Sequence, residues 1–272
     1  DGFSFVPVSF NLLSSTSKAN INPANPVDKR TAGYKRRKAA ILTSPESMIE
    51  MLATAISAGI SAKYVLFDSW FSFPGTILKI RNLKLHVIAM LKDTPKVYYT
   101  VDGTRKTLKE IYQSIKKRRG RAKYLASVLV TLNDKEGNSA EARIVFVRDR
   151  NVKGKWLALI STDTELPETE VIRIYGKRWD IEVFFKMCKS YLKLSKEFQG
   201  RSYDMMVAHT TIVFSRYIML SVENRNNQDM RTMGALFFYC CNEVADIEFS
   251  EALQLLIDAL LTALQEKLSL AK

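Results

Sequence analysis

Five side chains able to hold a phosphate or a metal ion crowd into one short stretch, YGKRWDIEVFFKMCK at residues 175–189. At about 100° of helix per residue, Tyr175, Arg178, Glu182, Lys186 and Lys189 point to about 0°, 300°, 340°, 20° and 320°, a single narrow stripe. Ile181, Phe184, Met187, Cys188 and Tyr191 fall on the opposite side. One carboxylate among cations and a phenol suits phosphate chemistry. Carboxylate oxygens are hard ligands for divalent cations, and an arginine can grip a phosphate with two parallel N–H donors. The same face equally fits a solvated salt-bridge surface, the usual fate of such charge. A second carboxylate stands in KYVLFDSWF, where Asp68 directly follows the apolar run Tyr64–Phe67. Functional side chains of open α/β sheets gather at the carboxyl ends of strands, although an aspartate there also caps turns. Together Asp68 and Glu182 form a scaffold for magnesium. Paired ions can activate one oxygen and stabilise the leaving one at a phosphodiester.

The elements that must position these residues are legible in outline. FSFVPVSFNLL reads as an edge-type strand, because Pro7 cannot donate to a ladder. Residues 14–46 are rich in Ser, Asn, Pro and Lys and read as a long loop. SPESMIEMLATAISAGI begins a helix, with Ser44 as N-cap and Pro45 at its first position. KYVLFD is a short buried strand, PGTILKIRNL a short helix and LHVIAML a buried strand, an alternation that implies parallel pairing. Residues 92–164 are β-rich, with turns at Asp102-Gly103 and Gly137-Asn138. From Pro167 the chain is helical, and Leu253, Leu256, Ile257, Leu260, Leu261, Leu264 and Leu268 line one face of a last helix, most simply a core-packing stripe, with a dimer contact as the alternative.

Composition narrows the partners. The chain has 272 residues, 47% of them hydrophobic, with 41 Lys+Arg against 28 Asp+Glu and a net charge of +13. Such an excess points to a polyanion: nucleic acid first, an anionic membrane surface second, with ribosome-type RNA binding as a competing source of charge. Three cysteines, two of them adjacent, do not make a disulfide framework. With no CxxC pair and only His86 and His209, a zinc site is not expected, and a reducing, cytosolic compartment fits best. There is no run of eighteen apolar residues, so no membrane-spanning helix is expected. The opening DGFSFVPVSF lacks the layout of a signal peptide and reads like the middle of a strand, so the chain is expected to begin inside a domain.

The spacing Tyr175, Arg178, Glu182, Lys189 resembles the Tyr-Arg-Glu-Lys signature of a large bacterial group of DDE insertion-sequence transposases. A chance match at this spacing is on the order of one in a thousand. FDSWFSFPGTI resembles the segment carrying that family's second aspartate, and DGFSFVPVSFNLLSS the strand before its first helix. The resemblance implies an α/β, RNase H-like core with a β-rich insertion and a helical carboxyl end: residues 1–91 as the first part of the core, 92–165 as the insertion and 166–272 as the remainder. It implies Mg²⁺, with Mn²⁺ as a substitute, held by Asp68 and Glu182 as catalytic residues. It further implies contacts of Tyr175, Arg178 and Lys189 with transposon-end DNA, a dimer in a synaptic complex, no membrane partner, and a cytoplasmic, nucleoid-associated location. The family's first aspartate lies upstream of the segment that residues 1–15 resemble. This chain is therefore expected to lack it, along with the amino-terminal DNA-binding domain, and Asp1 is not assigned the role. An RNase H-like nuclease without strand transfer and an inactive DNA-binding remnant remain as alternatives.

Further DNA contacts are sought among basic segments: KRTAGYKRRK at 29–38, with Arg36, Arg37 and Lys38, and KKRRGRAK at 116–123. Such segments bind phosphates without reading bases, or are simply solvated. Lys186 adds charge to the stripe. Relatives stack an insertion-domain tryptophan on a flipped base; Trp156 stands in that region, although packing within a strand is the simpler role. Trp70 and Trp179 are expected to pack near the site, and His86 and His209 to be core or helix-face residues.

Overall fold

The computed structural model describes residues 5–14, 27–196, 198–200, 202–226, 231–241, and 248, 250, 251, 253, 254, 257, 258 and 261. Asp1, Phe3, much of the Ser/Asn-rich segment, and Leu256, Leu260, Leu264 and Leu268 lie outside them. The chain divides into two compact units, residues 8–182 and residues 1–7 with 183–272.

The unit of residues 8–182 is a mixed α/β fold around one seven-stranded sheet. Its strands are β1 (Tyr64–Phe67), β2 (His86–Leu91), β3 (Tyr98–Val101), β4 (Thr104–Thr107), β5 (Ala126–Asn133), β6 (Ser139–Arg148) and β7 (Trp156–Ser161), in the order β1-β2-β7-β6-β5-β3-β4. β1 and β2 are parallel, with Tyr64 opposite His86 and Phe67 opposite Ala89. Every other pairing is antiparallel. The β-rich segment is thus continuous with the parallel pair, since β7 returns to hydrogen-bond with β2.

Alternation along the strands sends side chains to two faces. Val87 and Ala89, Ile144 and Phe146, and Ala158 and Ile160 enter one core. Ile88, Val145 and Leu159 enter the other. Helices α3 (Pro74–Asn82) and α4 (Leu108–Ser114) cover the larger core with Ile77, Ile80, Leu108 and Ile111. Helix α5 (Glu168–Gly176) covers the smaller with the fully buried Val171. The hairpin between β3 and β4 turns at Asp102 and Gly103, whose φ angles of 47° and 75° give the left-handed pair that a two-residue hairpin requires.

The local expectations need several corrections. Residues 5–14 form no strand; Ser14 N–H donates to Ala40 O. Pro7 cannot donate to a ladder, and Val6 and Val8 are 40% and 62% exposed, although Phe5, Phe10 and Leu12 are partly buried. The basic cluster is not loop but helix α1 (Ala32–Ala40), capped by the Thr31 hydroxyl accepting from Tyr34 N–H. It has no apolar stripe to announce it; alanine, lysine and arginine favour the helix by propensity alone. Helix α2 (Ser44–Ser57) is capped one residue earlier than expected, by Thr43 in a capping box with Glu46. β1 is half-buried rather than buried, with only Phe67 enclosed, because it stands at the sheet edge.

In the second unit, helix α6 (Trp179–Ser190) contributes Phe184, whose ring meets Phe214 at 4.9 Å, Tyr217 at 4.8 Å and Phe5 at 5.2 Å. Cys188 is buried, and burial pushes its thiol up to about 12. Helix α7 (Tyr203–Asn226) is long and apolar enough, by length and composition, to cross a membrane. The search for a run of eighteen apolar residues did not anticipate this. α7 carries Asp204, Arg216, Glu223 and Arg225 and buries eight residues, while Ile212 and Met219 are 61% and 70% exposed. His209 on α7 stacks on Phe198 at 4.5 Å. Leu253, Ile257 and Leu261, expected in a core, are each about half exposed.

Candidate functional site

Asp68 stands one residue past β1, half-buried, and its Oδ1 accepts the Trp70 N–H at 2.9 Å. It therefore does cap a turn. That bond uses one of its two oxygens.

Tyr175 and Arg178 come from the junction of α5 and α6. The expected single helix is broken here: Lys177, Arg178, Asp180 and Ile181 each donate to the carbonyl three residues back. This tightened turn overwinds the path, so the stripe drawn on an ideal helix does not hold across it. Ile181, placed on the apolar back by that wheel, is 39% exposed, whereas Phe184 and Cys188 are buried as expected. Tyr175 packs at the margin of the smaller core. The Arg178 guanidinium lies 5.8 Å from its ring centre and pairs with Glu182 Oε1 at 3.3 Å. The Glu182 side chain is 51% exposed.

Electrostatics tie Asp68 to this group. Burial pushes the Tyr175 phenol above its ordinary value; the nearby Asp68 charge adds to the shift, and Arg178 opposes it. The arrangement thus runs from Asp68 to Tyr175, to Arg178, to Glu182. The Tyr175 hydroxyl and the Arg178 side chain interact with each other, yet the hydroxyl and Arg178 Nε make no well-aligned hydrogen bond, a state shared by buried nitrogens of His86, Arg143 and His209 elsewhere. Buried polar atoms are ordinarily satisfied, so these two have donor capacity open to a water or a ligand beside the Glu182 carboxylate. Asp68 and Glu182 offer hard oxygen donors, correct in kind for magnesium. Among the described residues, however, no group of three or more His, Cys, Asp or Glu stands together to hold a metal.

Other expected residues lie elsewhere. Lys186 and Lys189 are exposed on α6. Arg36, Arg37 and Lys38 lie on α1, where Arg37 donates to Gly33 O at 3.3 Å. In the 116–123 segment, Arg118 stacks over Tyr124 at 4.1 Å and Lys117 over Tyr112 at 4.7 Å. Trp156 opens β7 with its ring stacked on Tyr112 at 4.7 Å and edge-on to Phe146 at 5.3 Å. Trp70 and Trp179 do not pack into the interior; they are 66% and 63% exposed.

Sequence reasoning missed Asp163, a carboxylate only 8% exposed just beyond β7. It accepts from the Tyr64 hydroxyl at 2.7 Å and pairs with Lys63 at 3.1 Å. Burial works to raise its pKa, but Tyr64 and Lys63 outweigh burial and hold it below the ordinary 3.8. Its partners lie about a hundred residues away, so no local spacing could reveal it. The one available signal was an aspartate closing the apolar run WLALISTD.

No curated protein matches the chain. The family model described as "Transposase DDE domain" matches residues 29–219, well over half of its length. That span takes in the whole sheet, Asp68 at the carboxyl end of β1 and the Tyr175–Glu182 cluster, and the protein belongs to the DDE transposase family.

Proposed function

We propose that the protein cuts DNA at the ends of an insertion sequence and joins the freed 3′-hydroxyl to target DNA, as a member of the Tyr-Arg-Glu-Lys group. The observation that supports this reading is the partly buried Tyr175–Arg178 pair set between two carboxylates, with donor capacity left at the Tyr175 hydroxyl and Arg178 Nε. Asp68 and Glu182 would hold Mg²⁺, or Mn²⁺ in its place. A bound divalent ion supplies Lewis-acid stabilisation of charge at the phosphodiester. Arg178 grips a phosphate beside it through charge-assisted donors, and the Tyr175 hydroxyl donates to the same group. Lys186 and Lys189, with Arg36, Arg37 and Lys38 on α1, add phosphate contacts along the duplex.

In this reading residues 1–91 and 166–272 belong to an RNase H-like core and residues 92–165 to its insertion. The protein works as a dimer that synapses two element ends, in the cytoplasm near the nucleoid. Trp156 serves its β7 packing, and a base-stacking role would require Tyr112 to release it. A second reading, a DNA-binding remnant without catalysis, is favoured by the lack of a three-donor cluster among the described residues.

Incubating the full-length protein, with any segment encoded before Asp1, with Mg²⁺ and a plasmid carrying the element's ends separates these readings. Cleaved ends joined to a second plasmid support transposition. Cleavage without joining supports a nuclease, and binding alone supports the remnant.

A further inference from the structure

Two loops meet at one end of the sheet and carry most of the chain's excess charge. Residues 116–123 lead toward β5, and residues 149–155 join β6 to β7, which pair at Arg148 and Trp156. With Arg148, the two stretches hold ten Lys and Arg against one acidic residue, Asp149, a net +9 in a chain whose whole excess is +13. Nine of the ten cations are exposed; Lys117 is half-buried. Among the described residues none of the ten pairs with a carboxylate. The adjoining segments leave this balance as it is: Lys92 and Asp93 follow β2, and Lys109 and Glu110 lie in the first turn of α4, one cation to each carboxylate.

The loops are fixed as well as charged. Arg148 donates to Gly120 O at 2.7 Å and to Ala122 O at 2.8 Å, which holds one loop against the other. The Arg118 N–H donates to Leu125 O, and its guanidinium lies 4.1 Å from the Tyr124 ring centre. The Asp149 N–H donates to Lys155 O, and its carboxylate accepts from the Asn151 and Val152 N–H groups. Like charges repel, and a merely solvated run is free to spread them apart. Here the backbone keeps them together.

Their position relates them to Asp68. β1 and β2 are parallel and β7 runs against β2, so the start of β7 lies at the same end of the sheet as Asp68. Phe67 is level with Ala89 and Ile160, four residues from Trp156, which is about 13 Å at about 3.3 Å per residue. β6 stands three strand spacings from β1, about 14 Å. The loops are thus roughly 20 Å from Asp68, the length of about six base pairs.

We infer that the two loops grip the phosphates of duplex DNA about six base pairs from the bond held at Asp68. The inference rests on the DNA reading above and deepens it by giving the duplex a second point of support. Arg118, Arg119, Arg121 and Arg150 suit phosphates, which an arginine takes with two donors. A single strand stacks its bases on open rings, whereas the rings here, Tyr112 and Tyr124, are covered by Lys117 and Arg118. An anionic membrane fits less well, because Val152 is the one large apolar side chain exposed on the loops and membrane-surface elements bury apolar side chains as well as charge.

The test titrates the full-length protein with a labelled duplex carrying one element end, over a range of salt concentrations. Arg119→Gln/Arg121→Gln/Lys123→Gln and Arg150→Gln/Lys153→Gln/Lys155→Gln should each flatten the salt dependence, by up to about 0.9 for each phosphate no longer neutralised. The six changes together should weaken binding about tenfold or more at about 0.1 M salt. Arg119→Lys/Arg121→Lys/Arg150→Lys keeps the charge and should keep the slope; a loss equal to that of the glutamine variants overturns the inference. Ethylating single phosphates needs no variant: interference should appear about five to seven base pairs from the cleaved bond. Unchanged slopes in both glutamine variants, even with weaker binding to phosphatidylserine vesicles, overturn the loop assignment and leave the DNA reading standing. Failure of the unmodified protein to bind duplex at all overturns both.

Discussion

β1 carries a carboxylate-centred cluster at each end, and the two are built from similar parts in opposite states. At its start, Asp163 meets a tyrosine hydroxyl and a lysine ammonium, both well placed, and is almost enclosed. At its end, Asp68 lies near a tyrosine and an arginine whose buried polar atoms stay unsatisfied, beside a half-exposed glutamate. The first cluster closes on itself and holds the exit of β7 against β1. The second leaves donors and acceptors open. A satisfied buried carboxylate is a structural pin; an unsatisfied group at a strand's carboxyl end is where chemistry is expected. The contrast has one blemish, since Nδ1 of His86, beside the pin, is also buried without a partner.

The largest separation between the two ends should come from catalysis. Glu182→Gln keeps the shape and removes the charge a divalent ion needs. In the full-length protein, cleavage of element-end DNA should fall by about a thousandfold or more, with binding unchanged or tighter. Retained cleavage would reduce Glu182 to one half of a surface ion pair. Arg178→Ala comes next. Removing a charge-assisted phosphate interaction, about 1.5–3 kcal/mol, should weaken end binding about 10- to 150-fold, read by titration at fixed salt. An affinity within about twofold of normal breaks the comparison, because the open end would then hold no ligand.

At the closed end the readout is stability. Asp163→Asn should lower the urea unfolding free energy by about 1–3 kcal/mol, with little direct effect on DNA affinity. Its pH dependence has a definite sign. The folded pKa lies below 3.8, so the stabilisation is complete above that value and drains away as pH falls through the lower folded value. The Asn variant should therefore lose stability less steeply under acid than the unmodified protein. Identical acid limbs would show that Asp163 is not the pin. The smallest expected effect belongs to α1. Replacing Arg36, Arg37 and Lys38 with glutamine should flatten the salt dependence of duplex binding by at most about 0.9 for each phosphate no longer neutralised. An unchanged slope would show that α1 stays clear of the duplex.

What the sequence showed and what it hid divide along the same line. The continuous apolar run in HVIAML and the turn at Asp102-Gly103 are local signals, and both elements form as read. The pairing of Asp68 with the Tyr175–Glu182 segment was argued from residue chemistry and strand-end placement, and the charge coupling of Asp68 to Tyr175 is consistent with it. The tightened turn at 177–181 was hidden, because a helical wheel assumes uniform winding. The α1 helix was hidden because charge-rich sequence without an apolar stripe looks like loop. Asp163 was hidden because its partners are long-range, and burial is a property of the packed sheet rather than of any window of sequence.

Among the described residues β1 has a single sheet neighbour, and its four residues pair with β2 along one edge. In a parallel pair this leaves alternate amides of the strand without a ladder partner. Isotope exchange with heavy water should register that asymmetry as a pattern in time. Amides of β2, held between β1 and β7, should exchange only on global opening, while the outward amides of β1 exchange through small local fluctuations. Asp68 thus rides on one of the least protected strands of the sheet. The strand that ends at Asp68 has the most to gain in rigidity from whatever hydrogen-bonds along its open side, and slowed exchange at Tyr64–Phe67 would be the first sign of that contact.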